Sequence, residues 1–221
     1  MQTSWLHREQ TGDDPVVRVE RGRFDYSLVT APATEPVTLA EAKLSARIDP
    51  SGDAATDTAT DSLVESLITS ARQSIEGQTR RALISQTWKA TLDFIPNAAE
   101  YDLMPRPLID VTSIKAYNED GTSTEMNVST DLILDTANAT IGVKSTAATL
   151  DSDRRTKVFE IVYTAGYGTT AADVPEWAKL AIKQLVSSWY ENRESEVVGT
   201  IVSKIPFVTQ MIIDTNTVIE V

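Results

Sequence analysis

The stretch spanning residues 173–196, DVPEWAKLAIKQLVSSWYENRESE, constrains the fold more than any other part of the chain. Asp173 can cap a helix, Pro175 suits a first turn, and Glu176 follows three residues after Asp173, which together read as an acidic, near capping-box start. Trp177, Leu180, Ala181, Gln184, Leu185, Ser188 and Trp189 recur at helical spacing. Apart from Gln184 and Ser188 they form one apolar stripe. A helix of about 20 residues spans roughly 30 Å, and two tryptophans on one stripe need a deep partner surface. The pattern predicts a central core helix anchored by Trp177, Leu185 and Trp189.

Two earlier segments can supply that surface. Thr38 and Glu41 form a capping box ahead of a short helix over 38–48, with Leu39, Ala42, Leu44 and Ala46 on its apolar side. Residues 61–78 predict a longer helix, with Leu63, Leu67, Ser70, Ala71 and Ile75 inward and Val64 and Ile68 beside them. Residues 49–61 between them read as a small-residue acidic linker. Asp49, Ser51 and Asp53 have calcium-loop spacing, but the glycine at position six and the glutamate at position twelve are missing. Arg80 and Arg81 follow the second helix, placed to meet its C-terminal carbonyls or a phosphate.

From Leu83 the period changes from 3.6 to 2. Strands are expected at 84–92, 101–104, 111–117, 124–128, 132–134, 141–144 and 158–164, with a hairpin turn at Glu119-Asp120-Gly121. Ala165-Gly166-Tyr167-Gly168 reads as a strand-to-helix connection, since it lacks GxGxxG spacing. The expected class is α+β: a helical bundle core with an inserted antiparallel β region and extended N- and C-terminal arms. The expected parts are an arm over 1–36, helices over 37–82, the β insertion over 83–164, a long and a short helix over 165–213, and a tail over 214–221.

Both arms have strand chemistry. Val17 and Val19 alternate with Arg18 and Glu20; Phe24, Tyr26 and Leu28 alternate with Asp25 and Ser27. These five apolar residues are candidates for a contact with a neighbouring subunit. At the other end, Ile205-Pro206-Phe207 opens an apolar segment, one or two helical turns could cover 207–213, and residues 215–221 alternate like an edge strand waiting for a partner sheet.

Marked catalytic chemistry is absent. The 221 residues include no cysteine and a single histidine, His7, which removes thiolate nucleophiles and Cys-type zinc sites. There is no Walker loop and no nucleophile elbow. A net charge of −12 disfavours gripping nucleic acid. No apolar run reaches signal-peptide or membrane-span length, so a soluble chain made in the cytoplasm is expected, with no cofactor, no metal and no catalytic residues.

Three pieces taken together resemble a known family: Thr34-Glu35-Pro36-Val37-Thr38-Leu39-Ala40-Glu41-Ala42-Lys43; then Thr79-Arg80-Arg81-Ala82-Leu83-Ile84-Ser85-Gln86-Thr87-Trp88; then Tyr163 to Gly168 with Val174-Pro175 and Trp189-Tyr190-Glu191-Asn192-Arg193-Glu194. In order and spacing they resemble the head–tail connector, or adaptor, proteins of tailed bacteriophages, also found in prophages and gene transfer agents. The resemblance covers about 26–213. It implies a non-enzymatic virion protein at the head–tail interface, forming a ring, usually twelve-fold, under the portal protein. The ring extends the DNA channel without specific DNA binding and receives a tail-completion or stopper protein. On that reading Ile205, Phe207, Val218, Ile219 and Val221 become candidates for the portal contact.

Two other readings stand beside it. A carbohydrate- or host-binding β module would need solvent-facing aromatics on one sheet, with Trp88, Tyr101 and Tyr117 as candidates. An enzyme would need an unmarked carboxylate pair among the 32 acidic residues.

Overall fold

A computed structural model describes residues 24–94, 100–144, 152–192 and 207–218. The chain is α+β, with a helical layer and a β layer that each bury their own apolar cluster.

The helical layer contains α1 (Leu39–Ser45), α2 (Ala54–Thr79), α4 (Glu176–Glu191) and α5 (Phe207–Asn216); the short α3 (Val128–Asp131) lies in the β region. The Thr38–Glu41 capping box forms as expected, with the Thr38 N–H donating to Glu41 at 2.8 Å and the Glu41 N–H donating to Thr38 Oγ1. α2 is longer than the periodicity suggested. Its first two turns, residues 54–60, read above as linker, are helical because Asp53 caps them, accepting the Thr56 N–H at 2.9 Å. The small Ala/Thr/Asp residues there follow the cap with little to bury, which is why no stripe marks them.

Both predicted stripes are rotated. On α2 the buried residues are Val64, Ile68, Ala71, Arg72, Ile75 and Thr79, while Leu63 is 37% exposed. On α4 they are Ala178, Ala181, Ile182, Leu185 and Val186, while Leu180 is 45% exposed. Trp177 and Trp189 are partly buried and pack at the margin of the cluster; Leu185 lies at its centre. Large side chains on the flank of a stripe shift its apparent centre, whereas packing of α4 against α1, α2 and α5 buries the face that carries Ala178, Ile182, Leu185 and Val186. Asp173 does not cap α4. It closes a 3-10 turn over Ala171–Asp173 by accepting from the Thr170 N–H and hydroxyl, and Pro175 precedes α4.

The β layer has a five-stranded antiparallel sheet in the order β1 (Asp25–Thr30), β2 (Gln86–Leu92), β8 (Phe159–Ala165), β4 (Leu108–Tyr117), β5 (Ser123–Met126). A three-stranded sheet follows the order β3 (Glu100–Asp102), β7 (Thr140–Val143), β6 (Leu132–Asp135). Phe159, Ile161 and Tyr163 of β8 alternate inward onto Leu103, Ile114 and Ile141. The predicted hairpin forms around Gly121, whose φ is +85°. Val128, expected to end a strand, instead opens α3 because Asn127 caps it.

Ala82, Leu83 and Ile84 join the layers: Ala82 belongs to the β cluster, Leu83 and Ile84 to the helical one. The glycine-rich connection packs directly on this strip. Gly166 has φ +142°, and a Cβ there would lie 2.7 Å from the Ile84 carbonyl. Ser85 N–H donates to the Gly168 carbonyl at 2.7 Å.

Candidate assembly surfaces

Three features link the layers or leave chemistry on the surface. The first is an ionic hub at the junction. Arg72, 5% exposed, donates from Nε to Glu35 at 2.8 Å and from Nη1 to Glu76 at 2.7 Å. The other Glu76 oxygen accepts the Leu83 N–H at 2.8 Å and Gln86 Nε2 at 2.9 Å. One carboxylate therefore ties α2 to the junction strip and to β2, and Arg72 ties both to the segment leading into α1. Burial pushes the Glu76 carboxyl up from its ordinary value, against the Leu83 N–H and Arg72, which favour its charged form. Burial opposes the Arg72 charge too, but the Glu35 hydrogen bond and the Glu76 charge outweigh it and raise its pKa. Sequence reasoning missed this hub, whose members are up to 51 residues apart; Glu35 enters it only as part of the first of the three pieces that carry the family resemblance.

The second is β1, which among the described residues pairs with β2. Phe24 and Tyr26 of the expected arm sit in the chain's own β layer: their rings lie 6.0 Å apart and both pack against its cluster. This corrects the boundary of the arm, since 25–30 is a strand of the main sheet. Pairing across some 60 residues carries no local signal. The ladder becomes irregular between Leu28 and Thr30, and there Leu28 and Val29 are 46% and 55% exposed. Val17 and Val19 lie outside the described residues.

The third is α5 and the chain after it. α5 runs through Asn216, where an edge strand was expected to begin. Thr209 is buried and donates to Gln184 Oε1 at 2.7 Å, and Ile213 is buried. Val218 is also nearly buried; its N–H donates to the Thr79 carbonyl at 3.1 Å and the Thr217 hydroxyl reaches the Gln78 carbonyl. The carbonyls left unpaired at the end of α2 thus recruit the tail to its own subunit, which is the physical reason Thr217 and Val218 do not wait as a free strand. Phe207 opens α5; Ile205, Ile219 and Val221 lie outside the described residues. The face of α5 turned outward carries Val208 and Met211, 53% and 62% exposed. Arg81 meets helix carbonyls, as its position after α2 suggested, but those of α5: Nε donates to Asn216 O and Nη1 to the Tyr167 hydroxyl at 3.2 Å.

Two of the aromatics proposed for a carbohydrate surface are engaged within the subunit. Trp88 packs against the β cluster, and Tyr117 donates to Glu160 at 3.1 Å beneath Arg154. Tyr101 lies on β3. Among the described residues no group of three or more metal-ligating side chains converges, and no helix is long and apolar enough to cross a membrane. Asp53 and Asp57, near the would-be calcium loop, are engaged by Thr56 and Ser51.

The head completion protein family matches residues 53–210, and the chain belongs to that family. Its fold is similar to a chain described as the neck of an empty GTA particle computed with C6 symmetry, with TM-score 0.71, 25% identity, 89% of this chain and 97% of that one. It is also similar to a chain from the virion of a native gene transfer agent particle (TM-score 0.69, 23% identity, 89% and 96%). A third similar chain is from the neck of a native GTA particle computed with C12 symmetry (TM-score 0.64, 23% identity, 89% and 97%). At 23% identity the last two carry the fold alone. No curated protein matches the chain.

Proposed function

We propose that this chain is the adaptor of a tailed-phage-like particle or gene transfer agent: a non-enzymatic neck subunit of the virion that forms a twelve-fold ring under the portal, extends the DNA channel and receives the stopper or tail. The observation that carries this reading is the likeness, over nearly the full length of both chains, to a gene transfer agent neck protein, together with membership of the head completion family. The symmetries named for the similar necks support a closed ring, which requires heterologous, head-to-tail contacts. Leu28 and Val29 at the irregular end of β1 are the apolar pair for the neighbouring subunit, extended by the chain around Val17 and Val19. The outward face of α5, with Val208 and Met211, and the chain around Ile205, Phe207, Ile219 and Val221 face the portal. The net charge of −12 suits a lumen through which DNA slides, because like charge shortens the residence of phosphates on the wall.

The test is complementation. Portal-bearing, DNA-filled heads that lack this protein are mixed with the purified chain, and the mass and symmetry of what binds are measured. A ring on the portal vertex that restores tail joining is expected. A chain that stays monomeric and leaves the heads unjoined would overturn the reading.

A further inference from the structure

We propose that the Asp120–Gly121 bond is a backbone-modification site, open to isoaspartate formation, and that the Thr122 side chain holds it in check. Of the 221 residues, Asp120 is the only Asp or Asn followed by glycine. That dipeptide is chemically labile because glycine has no side chain to shield its amide nitrogen from the neighbouring carboxyl. In the reaction the Gly121 nitrogen bonds to the Asp120 side-chain carboxyl carbon. One carboxyl oxygen leaves as water, taking the carboxyl proton and the amide proton. The cyclic imide then takes up one water. Opening at one carbonyl restores aspartate; opening at the other routes the backbone through the side chain as isoaspartate. Water is the only co-reactant, and nothing is oxidised or reduced.

The fold requires the labile residue. β4 and β5 are joined by a tight turn in which the Gly121 N–H donates to the Asn118 carbonyl at 3.1 Å and the Asn118 N–H to the Thr122 carbonyl at 2.8 Å. Gly121 completes the turn at φ +85°, where a side chain would be strained. Asp120 and Gly121 are both exposed, so water reaches them. Thr122 offsets this lability. Asp120 Oδ1 accepts the Thr122 hydroxyl at 2.7 Å and the Thr122 N–H at 2.8 Å. Both bonds favour the charged carboxylate and hold its pKa below the ordinary value. Ring closure needs the protonated form, because a carboxyl OH leaves as water and a carboxylate oxygen does not. The hydroxyl is itself fixed, since Thr122 Oγ1 accepts from Asn118 Nδ2 at 3.1 Å. Carboxylate and amide are thus each engaged by the turn that brings them together. Isomerisation would add one backbone atom to the turn and disturb the β4–β5 ladder, in which Tyr117 pairs with Ser123 and Ile114 with Met126, a residue buried in the β cluster.

This inference is independent of the ring reading and is tested on the purified chain. Wild type, Thr122→Val and Thr122→Ser are held for weeks at neutral pH beside a synthetic peptide of residues 114–126. Isoaspartate at position 120 is read by peptide mapping with electron-transfer fragmentation. Wild type and Thr122→Ser should form it several-fold more slowly than Thr122→Val and the peptide. Equal rates in wild type and Thr122→Val, or in wild type and the peptide, would overturn the proposal. So would equal rates in Thr122→Ser and Thr122→Val, which would exclude the hydroxyl as the cause. Hydrogen exchange over 117–126 separates chemistry from local unfolding. Amides of Thr122→Val should stay as protected as those of wild type; acceleration matched by equally faster exchange would trace the effect to an opened hairpin and overturn the role of the side chain.

Discussion

Arg81 Nε donates to the backbone carbonyl of Asn216 at 2.8 Å, so the end of α2 and the end of α5 share one guanidinium. The same side chain reaches the Tyr167 hydroxyl in the glycine-rich connection. A residue placed to serve its own helix terminus thus fastens the last helix to the body. Arg81→Ala should cost about 1–3 kcal/mol, the usual penalty for stranding buried hydrogen-bond partners. The loss should appear as faster amide exchange in 207–218, with α4 unaffected; uniform destabilisation would show that Arg81 acts elsewhere.

Docking of the tail changes how the portal contact has to be tested. Deleting 215–221 removes the Val218 bond to Thr79 as well as any external contact. Val208→Asp with Met211→Asp instead changes only exposed positions. Thermal stability should move by less than about 1 kcal/mol, as for surface changes generally, while joining to portal-bearing heads should fall. Full joining by a stable variant would remove the outward face of α5 from the contact.

The core of the helical layer predicts a ranking. Leu185 is fully buried and Trp189 only partly so. Leu185→Ala should cost about 2–5 kcal/mol, more than Leu180→Ala, which should lie within about 1 kcal/mol. Urea midpoints measure both. Equal costs would mean that the α4 face is assigned wrongly.

Gly166 and Gly77 predict opposite signs for the same substitution. Gly166→Ala puts a Cβ at 2.7 Å from the Ile84 backbone at φ +142°, an overpacked and strained position costing about 1–3 kcal/mol. Gly77 lies within α2 with open space around it, so Gly77→Ala should stabilise by about 0.5–1 kcal/mol. Melting temperatures of the two variants decide it.

Two opposed pH dependences of stability have separate origins. The Thr56 hydroxyl and N–H hold Asp53 below its ordinary pKa, and Thr170 does the same for Asp173. A carboxyl with a lowered folded pKa contributes stability above its unfolded value and loses it as pH falls through the folded one. Glu76 is raised by burial, so its sign is reversed: its contribution falls as pH rises from the ordinary glutamate value of about 4.3 through its folded one. Asp53→Asn should flatten the acid limb, and Glu76→Gln should flatten the change above it. Melting temperatures from pH 2 to 8 would show no such separation if the carboxylates were unperturbed.

By itself, the sequence determined what is written within a few residues. The Thr38–Glu41 box, the turn at Gly121, the change from helical to alternating period near Leu83 and the glycine-rich bend at 165–168 all rest on contacts between near neighbours, and each is where it was expected. So was the α+β class, since strand and helix periods differ wherever the chain is packed. Only the tertiary structure decided which flank of each stripe is buried, because Leu180 and Ile182 are equally apolar and the choice belongs to the helices that cover them. It also set β1 beside β2, drew the tail onto Thr79, and gathered Glu35, Arg72, Glu76 and Gln86 into one hub. Those pairings depend on distance in space rather than along the chain, and a buried charge is tolerated only when remote partners arrive together to satisfy it.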